Sequence, residues 1–356
     1  MADVFDDGRL EDPRVLAAYD RPLRHLAESG ARVRIEAGGA ADALAALEAE
    51  SQPRAVVAAG EDARLLRAVL EPWCPVPFVA WPGPGLPGWA GSLDLVAVLG
   101  PGGGDELTAS AVREATRRGC SLVTACPPRS ILAEHAAGRH STVLPTQTGD
   151  SLAAAVVMLL ALHTLGVGPA VDAEEVARVL DDVAVACSPH RDIAVNPAKD
   201  LALAFADLLP LVWGGSVLAA RAARRVAETI RSTTGRPALA ADEGHLVPVI
   251  EAARPRDLFA DPFADGDATP TRPGLLVLDD GTEEAVIREG RGRLVAGAGA
   301  HEVRVRTVHA EEGSEMARYA SLLSTGSYMA RYLGIGLGGD VAAGPDIGTE
   351  TEGGRW

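Results

Sequence analysis

The sequence predicts an α/β protein of two doubly wound domains, each with a parallel sheet flanked by helices in three αβα layers. Three observations predict it. Short apolar runs (RAVVAAG, LDLVAVLG, SLVTAC, LLPLVWGG and GLLVLDD) alternate with helix-length segments, which is the grammar of βαβ units. These runs lack polar alternation, as expected of strands covered on both faces. The same order occurs twice, without close identity between the halves, in a chain of 356 residues that suits two domains.

Taken in order, residues 1–53 form a helical segment, with a helix over 13–29 and an alternating patch at 31–36. The first α/β domain spans 54–168. RAVVAAG is a strand ending in Gly60, EDARLLRAVLE a helix, PFVAW a strand and WPGPGLPGWAG a loop. LDLVAVLG then leads through the glycine-rich turn at Gly100–Gly104 into a helix over 107–118. SLVTAC is the next strand, and helices follow over 130–137 and 151–165. Residues 169–208 link the domains and contain a helix over 173–184. The second domain spans 209–340: LLPLVWGG, a helix over 217–231, PALAAD as a short strand, GLLVLDD, a helix from 283, HEVRVRTVH, and a last helix over 314–334. The proline-rich acidic stretch 254–273 reads as an exposed loop, and 341–356 as a disordered tail.

Composition narrows the function. Apolar residues make up 47% and aromatics 4%, so the core is built of Ala, Val and Leu. A formal charge of −16 argues against nucleic acid and anionic membrane as partners, since both would be repelled. The N-terminus has no apolar stretch of a secretory signal, and the longest apolar run, 152–162, falls short of the roughly 20 residues of a membrane span. A cytoplasmic protein is expected. Cys74, Cys120, Cys126 and Cys187 have no metal spacing and read as reduced thiols; His135, His140 and His163 are scattered, so no metal site is expected. No P-loop occurs, and the GxGxxG pattern fails because Asp105 stands at its third glycine position, so no nucleotide or other cofactor is expected.

Several segments resemble the double SIS-domain (sugar isomerase) proteins, specifically the bifunctional phosphoglucose/phosphomannose isomerase family. NPAKDLALAFADLLPLVWGGSVLAARAARRVAETI resembles the segment that joins that family's domains and opens the second. DEGHLV resembles its histidine-containing segment, and SLLSTGSYMARYLGIGLGGDV its final helix. LDLVAVLGPGGGDELTASAVREATRRGCSLVTAC is similar to its strand, phosphate loop, helix and strand. The resemblance covers about residues 54–340 in architecture, and the arginine- and alanine-rich composition resembles an actinobacterial version. It implies a homodimer whose site lies between domains and subunits, and a sugar derivative as ligand.

Aldose–ketose isomerisation needs a phosphate grip, a ring-opening group and a base that moves a proton between adjacent carbons. The substrate-binding candidates are Gly60, Gly100, Gly102, Gly103, Gly104 and Asp105 in the first domain, and Gly215 and Ser216 in the second. By the resemblance, Gly100 and Gly102 replace serines, Asp105 replaces a threonine, and Glu61 or Asp62 replaces a serine of the earlier turn. Each close like-charge contact with a phosphate would cost on the order of 1–4 kcal/mol. No arginine follows TQTG, no lysine follows Lys199, and no carboxylate stands at 231–233, where the family has its catalytic glutamate. Glu228, one turn upstream, and His245, as a ring-opening group, are the remaining catalytic candidates. Glu228 also reads as a surface charge facing Arg224 or Arg231, His245 as a solvated histidine and Ser216 as a helix N-cap. Two functions therefore stay open: an isomerase of glucose-6-phosphate or mannose-6-phosphate, or a non-catalytic relative that binds a sugar derivative or a protein. A third, weaker option is different chemistry on an uncharged or cationic ligand.

Overall fold

The computed structural model describes residues 4–48, 52–60, 63–253 and 272–339. A 3₁₀ turn at Asp7–Leu10 precedes α1 (Pro13–Ala18), α2 (Asp20–Ala27), α3 (Ser29–Gly39) and α4 (Ala41–Ala45). Then come β1 (Val56–Gly60), α5 (Ala63–Leu70), β2 (Phe78–Ala80), β3 (Leu95–Leu99), α6 (Glu106–Arg118), β4 (Ser121–Cys126), α7 (Ile131–His135) and β5 (Ser141–Pro145). Helices α8 (Ser151–Thr164), α9 (Ala173–Ala186) and α10 (Pro197–Ala204) lead to β6 (Leu208–Gly214), α11 (Val217–Thr234), β7 (Leu239–Ala240) and α12 (Glu243–Glu251). The described chain ends with β8 (Arg272–Asp279), α13 (Ala285–Ala300), β9 (Arg304–His309) and α14 (Glu315–Gly336).

Contacts divide the described chain into two compact units, one over Ala27–Asp182 and one joining the residues up to Leu26 with those from 183 to 339. Each holds its own wholly parallel sheet, in the order β2-β1-β3-β4-β5 and β7-β6-β8-β9. The expected α/β class and helix-flanked parallel sheets are what the structure has. The strands are apolar because both faces are covered: every residue of β3 is buried, and so are the six central residues of β8. Strand β9, at the edge of its sheet, is mostly exposed and carries Arg304, Arg306 and His309.

One helix in each unit is buried nearly all round. In α8 only Leu160, His163 and Thr164 escape full burial, and in α14 only Glu315 and Arg318 do. Such helices read as apolar without periodicity, which is how the run 152–162 appears in the sequence. Helix α14 packs on α10 and α11. A Cβ at Gly326 would sit 2.3 Å from a methyl of Val226, so glycine sets how closely α14 and α11 approach.

Several expectations need correction. The segment 13–29 is two helices rather than one. The alternating patch 31–36 is not extended but lies inside α3, where Arg32 and Glu36 stand one helical turn apart and are both buried. Strand β5 has no counterpart in the sequence reading, because STVLP is short, only half-buried and ends in proline. Helix α12 was obscured by Pro248 in its interior, and Arg272 and Pro273 belong to β8 rather than to a loop. The rest of the acidic loop, the tail, Glu61 and Asp62 lie outside the described residues.

Two buried charges hold the irregular segments. In the Ala27–Asp182 unit, Glu36 is fully buried and accepts from Gln147 N (3.0 Å), Thr148 N (2.6 Å) and the Thr148 hydroxyl (2.5 Å). Beside it Arg32 pairs with Asp150 at 2.7 Å, and Asp150 caps α8 by accepting from Ala153 N. Helix α3 is thereby fixed to the loop between β5 and α8. In the other unit Lys199, the chain's only lysine, is fully buried. Its ammonium donates to Glu11 (2.8 Å), Pro189 O (3.0 Å) and Arg191 O (2.8 Å), and lies 5.7 Å from the Tyr332 ring centre. One side chain thus ties the N-terminal segment, the bridge after α9 and α14 together. The nearby Cys187 thiol is pushed up to about 12 by burial, so it is inert at neutral pH.

Removal of either buried charge leaves its partners unsatisfied. Glu36→Ala is expected to lose about 3 kcal/mol and Lys199→Met about 2–4 kcal/mol of stability, measured by urea unfolding of the intact chain. Glu11→Gln should cost under about 1 kcal/mol, because Glu11 is 43% exposed. Wild-type stability in both of the first two variants would show that neither charge anchors its segment.

Candidate functional site

In each sheet the chain leaves two adjacent strands in opposite directions: β1 toward β2 and β3 toward β4, then β6 toward β7 and β8 toward β9. Ligands of open α/β sheets bind in the crevice outside the carboxyl ends of such a strand pair. The substrate-binding candidates stand there. Gly60 ends β1, and Gly100–Asp105 run from β3 into α6. Gly215 and Ser216 lead from β6 into α11.

The first turn is closed by its own chain. Gly103 N donates to Gly100 O at 2.9 Å, and Gly103 and Gly104 have φ of +102° and +80°, which favour glycine. Cβ atoms at Gly100 and Gly104 would lie 2.2 and 2.6 Å from a methyl of Leu132. The glycines therefore make room for Leu132 rather than for a ligand. A Cβ at Gly60 would lie 2.1 Å from Leu99 O, so this glycine permits close approach of β1 and β3. Gly102 is exposed on the turn. Asp105 is the N-cap of α6, its carboxylate accepting from Thr108 N at 2.7 Å. An acidic side chain thus occupies one of the N–H groups that would otherwise receive an anion.

The second turn follows the same rule with a different residue. Ser216 caps α11, accepting from Ala219 N at 3.0 Å, and its hydroxyl donates to Asp280 across the carboxyl ends of β6 and β8. Asp279, at the end of β8, is held by Arg291 and lies 3.4 Å from His309. A Cβ at Gly215 would lie 2.3 Å from a methyl of Ile287, so this turn is packed as the first one is.

Beside Gly214 and Gly215 a cavity of about 260 Å³ opens, with Arg224, Asp242 and Glu243 as its charged lining and Trp213, Val286 and Ile287 as apolar walls. Asp242 caps α12, and the imidazole of His245 makes a 2.7 Å contact with its carboxylate, which with the other His245 contacts holds it below the usual range. Glu243 is lowered by its hydrogen bonds from Arg293. Arg224 completes the set as a cation next to Asp242. The cavity thus carries two carboxylates in their charged form and one arginine whose charge acts on Asp242, a balance suited to hydroxyl or amine groups.

His245 lies in the first turn of α12 with its side chain 79% exposed, and Glu228 lies on α11 paired with Arg225 at 3.3 Å. Neither is part of the cavity lining. Glu228 faces Arg225, and not Arg224 or Arg231 as the helical spacing suggested. Sequence reasoning missed Arg224, Asp242 and Glu243, although the Asp-Glu-Gly start of α12 is a readable N-cap signal. No group of metal-ligating residues occurs among the described residues, and no described helix is long and apolar enough to cross a membrane.

Comparison with known proteins bears on the second half first. Residues 194–348 match the family model of the bacterial phospho-glucose isomerase C-terminal SIS domain. No curated protein matches the chain in sequence. Among solved structures, the C-terminal domain of glucosamine-fructose-6-phosphate aminotransferase from Francisella tularensis is similar, with a TM-score of 0.61 and 13% identity over 90% of this chain and 97% of that one. Tagatose-6-phosphate ketose/aldose isomerase from Escherichia coli is similar with a TM-score of 0.57 and 13% identity over 96% of this chain and 97% of that one. At such identities these likenesses speak to the fold, and the family model speaks to the second half. Residues 194–348 thus match a bacterial phospho-glucose isomerase C-terminal SIS domain, and the chain shares the fold of these solved structures over most of its length.

Proposed function

We propose that the chain is a non-catalytic SIS protein that binds an unphosphorylated sugar derivative in the cavity beside Gly214 and Gly215. One observation carries this reading: both glycine turns already have an acceptor on their helix N-termini and a side chain over their glycines. A phosphate approaching the first turn would displace the Asp105 cap and meet its charge. At the second it would meet Ser216 already donating to Asp280. The cavity offers Asp242, Glu243 and Arg224 instead, which suit hydroxyls and an amine better than a dianion.

The match over residues 194–348 favours a second reading, isomerisation of glucose-6-phosphate or mannose-6-phosphate to fructose-6-phosphate. That reading would need His245 and Glu228 to reach a substrate, His245 from the partner in the homodimer that the resemblance implies. Cytoplasmic residence and the domain limits 54–168 and 209–340 belong to the same proposal.

Coupled assays on fructose-6-phosphate and mannose-6-phosphate separate the readings. The binding reading expects no turnover, and a rate above about 1 per second would overturn it; such turnover surviving His245→Ala would also overturn His245 as the ring-opening group. In thermal-shift screening, glucosamine or a neutral sugar should stabilise the wild type and leave Arg224→Ala and Asp242→Asn unshifted. Asp105→Ala should cost about 1 kcal/mol in urea unfolding, the size of a lost N-cap, without creating sugar-phosphate turnover.

A further inference from the structure

The sheet of the Ala27–Asp182 unit has a second hollow, at the end opposite to Gly60 and Gly100. A cavity of about 270 Å³ opens at the amino ends of β3, β4 and β5. The register builds it. Leu95 pairs with Ser121 and Leu122 with Ser141, so β3 and β4 begin level while β5 begins one step later, under the turn that feeds it. That turn is held by two backbone bonds, Leu122 N to His140 O at 2.8 Å and Ser141 N to Gly138 O at 3.3 Å. Its floor is apolar, from Leu95, Leu122 and Leu165.

The polar lining differs from that of the crevice cavity. Arg139, His140, Ser121, Ser141 and Thr142 face it, with Glu48 as its one carboxylate among the described residues. Arg32, Arg34, Arg54 and Arg118 in this unit each reach a carboxylate. The Arg139 guanidinium and the His140 ring, by contrast, have no hydrogen bond or ion pair among the described residues, and the three hydroxyl side chains make none either. A guanidinium fork fits a carboxylate or a phosphate, and hydroxyls both donate to and accept from the hydroxyls of a polyol. Glu48 would accept from a hydroxyl and would repel a second anionic group. The volume of about 270 Å³ lies just below the range of drug-sized ligand sites, about 300 to 1,000 Å³, so it suits a small metabolite and excludes a dinucleotide.

We propose that this amino-end hollow is a ligand site for a small hydroxylated molecule bearing one oxyanion. Arg139 and His140 take the anion, and Ser121, Ser141 and Thr142 take the hydroxyls. The site is independent of the crevice reading, because it uses other residues at the other end of the sheet.

The test is calorimetric titration of the intact chain with glucuronate, glucose-6-phosphate, inorganic phosphate and glucose. One of the two sugar anions is expected to bind at least about tenfold more tightly than glucose and than inorganic phosphate. Arg139→Ala should weaken it at least about tenfold, and Ser141→Ala with Thr142→Val about threefold, while Arg224→Ala, in the crevice cavity, should leave the affinity for the sugar anion as in the wild type. Arg139 is exposed, so its variant should keep the wild-type urea midpoint. Failure of both sugar anions to bind overturns the proposal. So does binding that Arg224→Ala abolishes and Arg139→Ala spares, which would place the ligand in the crevice cavity. Phosphate binding as tightly as the sugar anions would overturn the part played by the hydroxyls.

Discussion

A parallel sheet feeding helices leaves free N–H groups at the start of each helix, and each of these needs an acceptor. In a phosphate-binding α/β protein the ligand is one such acceptor. Here side chains of the protein itself take that place. Asp105 does so at α6, Asp150 at α8, Ser216 at α11 and Asp242 at α12, while Glu36 receives Gln147 N and Thr148 N in the loop before α8. The shape of both units rests on these bonds, because they set where each helix starts at the end of its strand. They also settle what the crevices have left to offer a ligand.

The same acceptors explain why the buried cations are where they are. Asp150 is 3% exposed, so its charge needs a partner, and Arg32 supplies it from α3. Lys199 has two carbonyls, Glu11 and the Tyr332 ring around it, which replace the water it loses. Both arrangements join segments far apart in sequence, residues 32 and 150 in one unit and 11, 199 and 332 in the other. The polar groups thus fasten the irregular parts, while apolar burial of α8 and α14 supplies the bulk of each core.

The sheets were legible because a strand covered on both faces is apolar whatever its neighbours are. LVAVL and SLVTAC could hardly be anything else. The segments that failed to read were those whose reason lies far away. Arg32 and Glu36 look like alternating polar residues until the loop at 146–150 is folded against them. STVLP becomes a strand only because Thr146 N and Leu122 N find acceptors across from it. At the site, the positions of Gly60, Gly100–Asp105 and Gly215–Ser216 were readable as strand-to-helix turns. Their packing was not, because Leu132 and Ile287, which fill the space over the glycines, come from helices later in the chain.

Charge connects these findings. A chain of net charge −16 that also caps its helices with Asp105, Asp150 and Asp242 has placed acidic groups where a phosphate would need the field to be positive. Replacing one capping carboxylate by a hydroxyl would not restore a phosphate grip, because Leu132 and Ile287 would still cover the glycines. Both the charge and the packing would have to change together. An anion is therefore better received where no helix start needs an internal acceptor, and the amino ends of β3–β5 are such a place: Arg139 there is free to neutralise it.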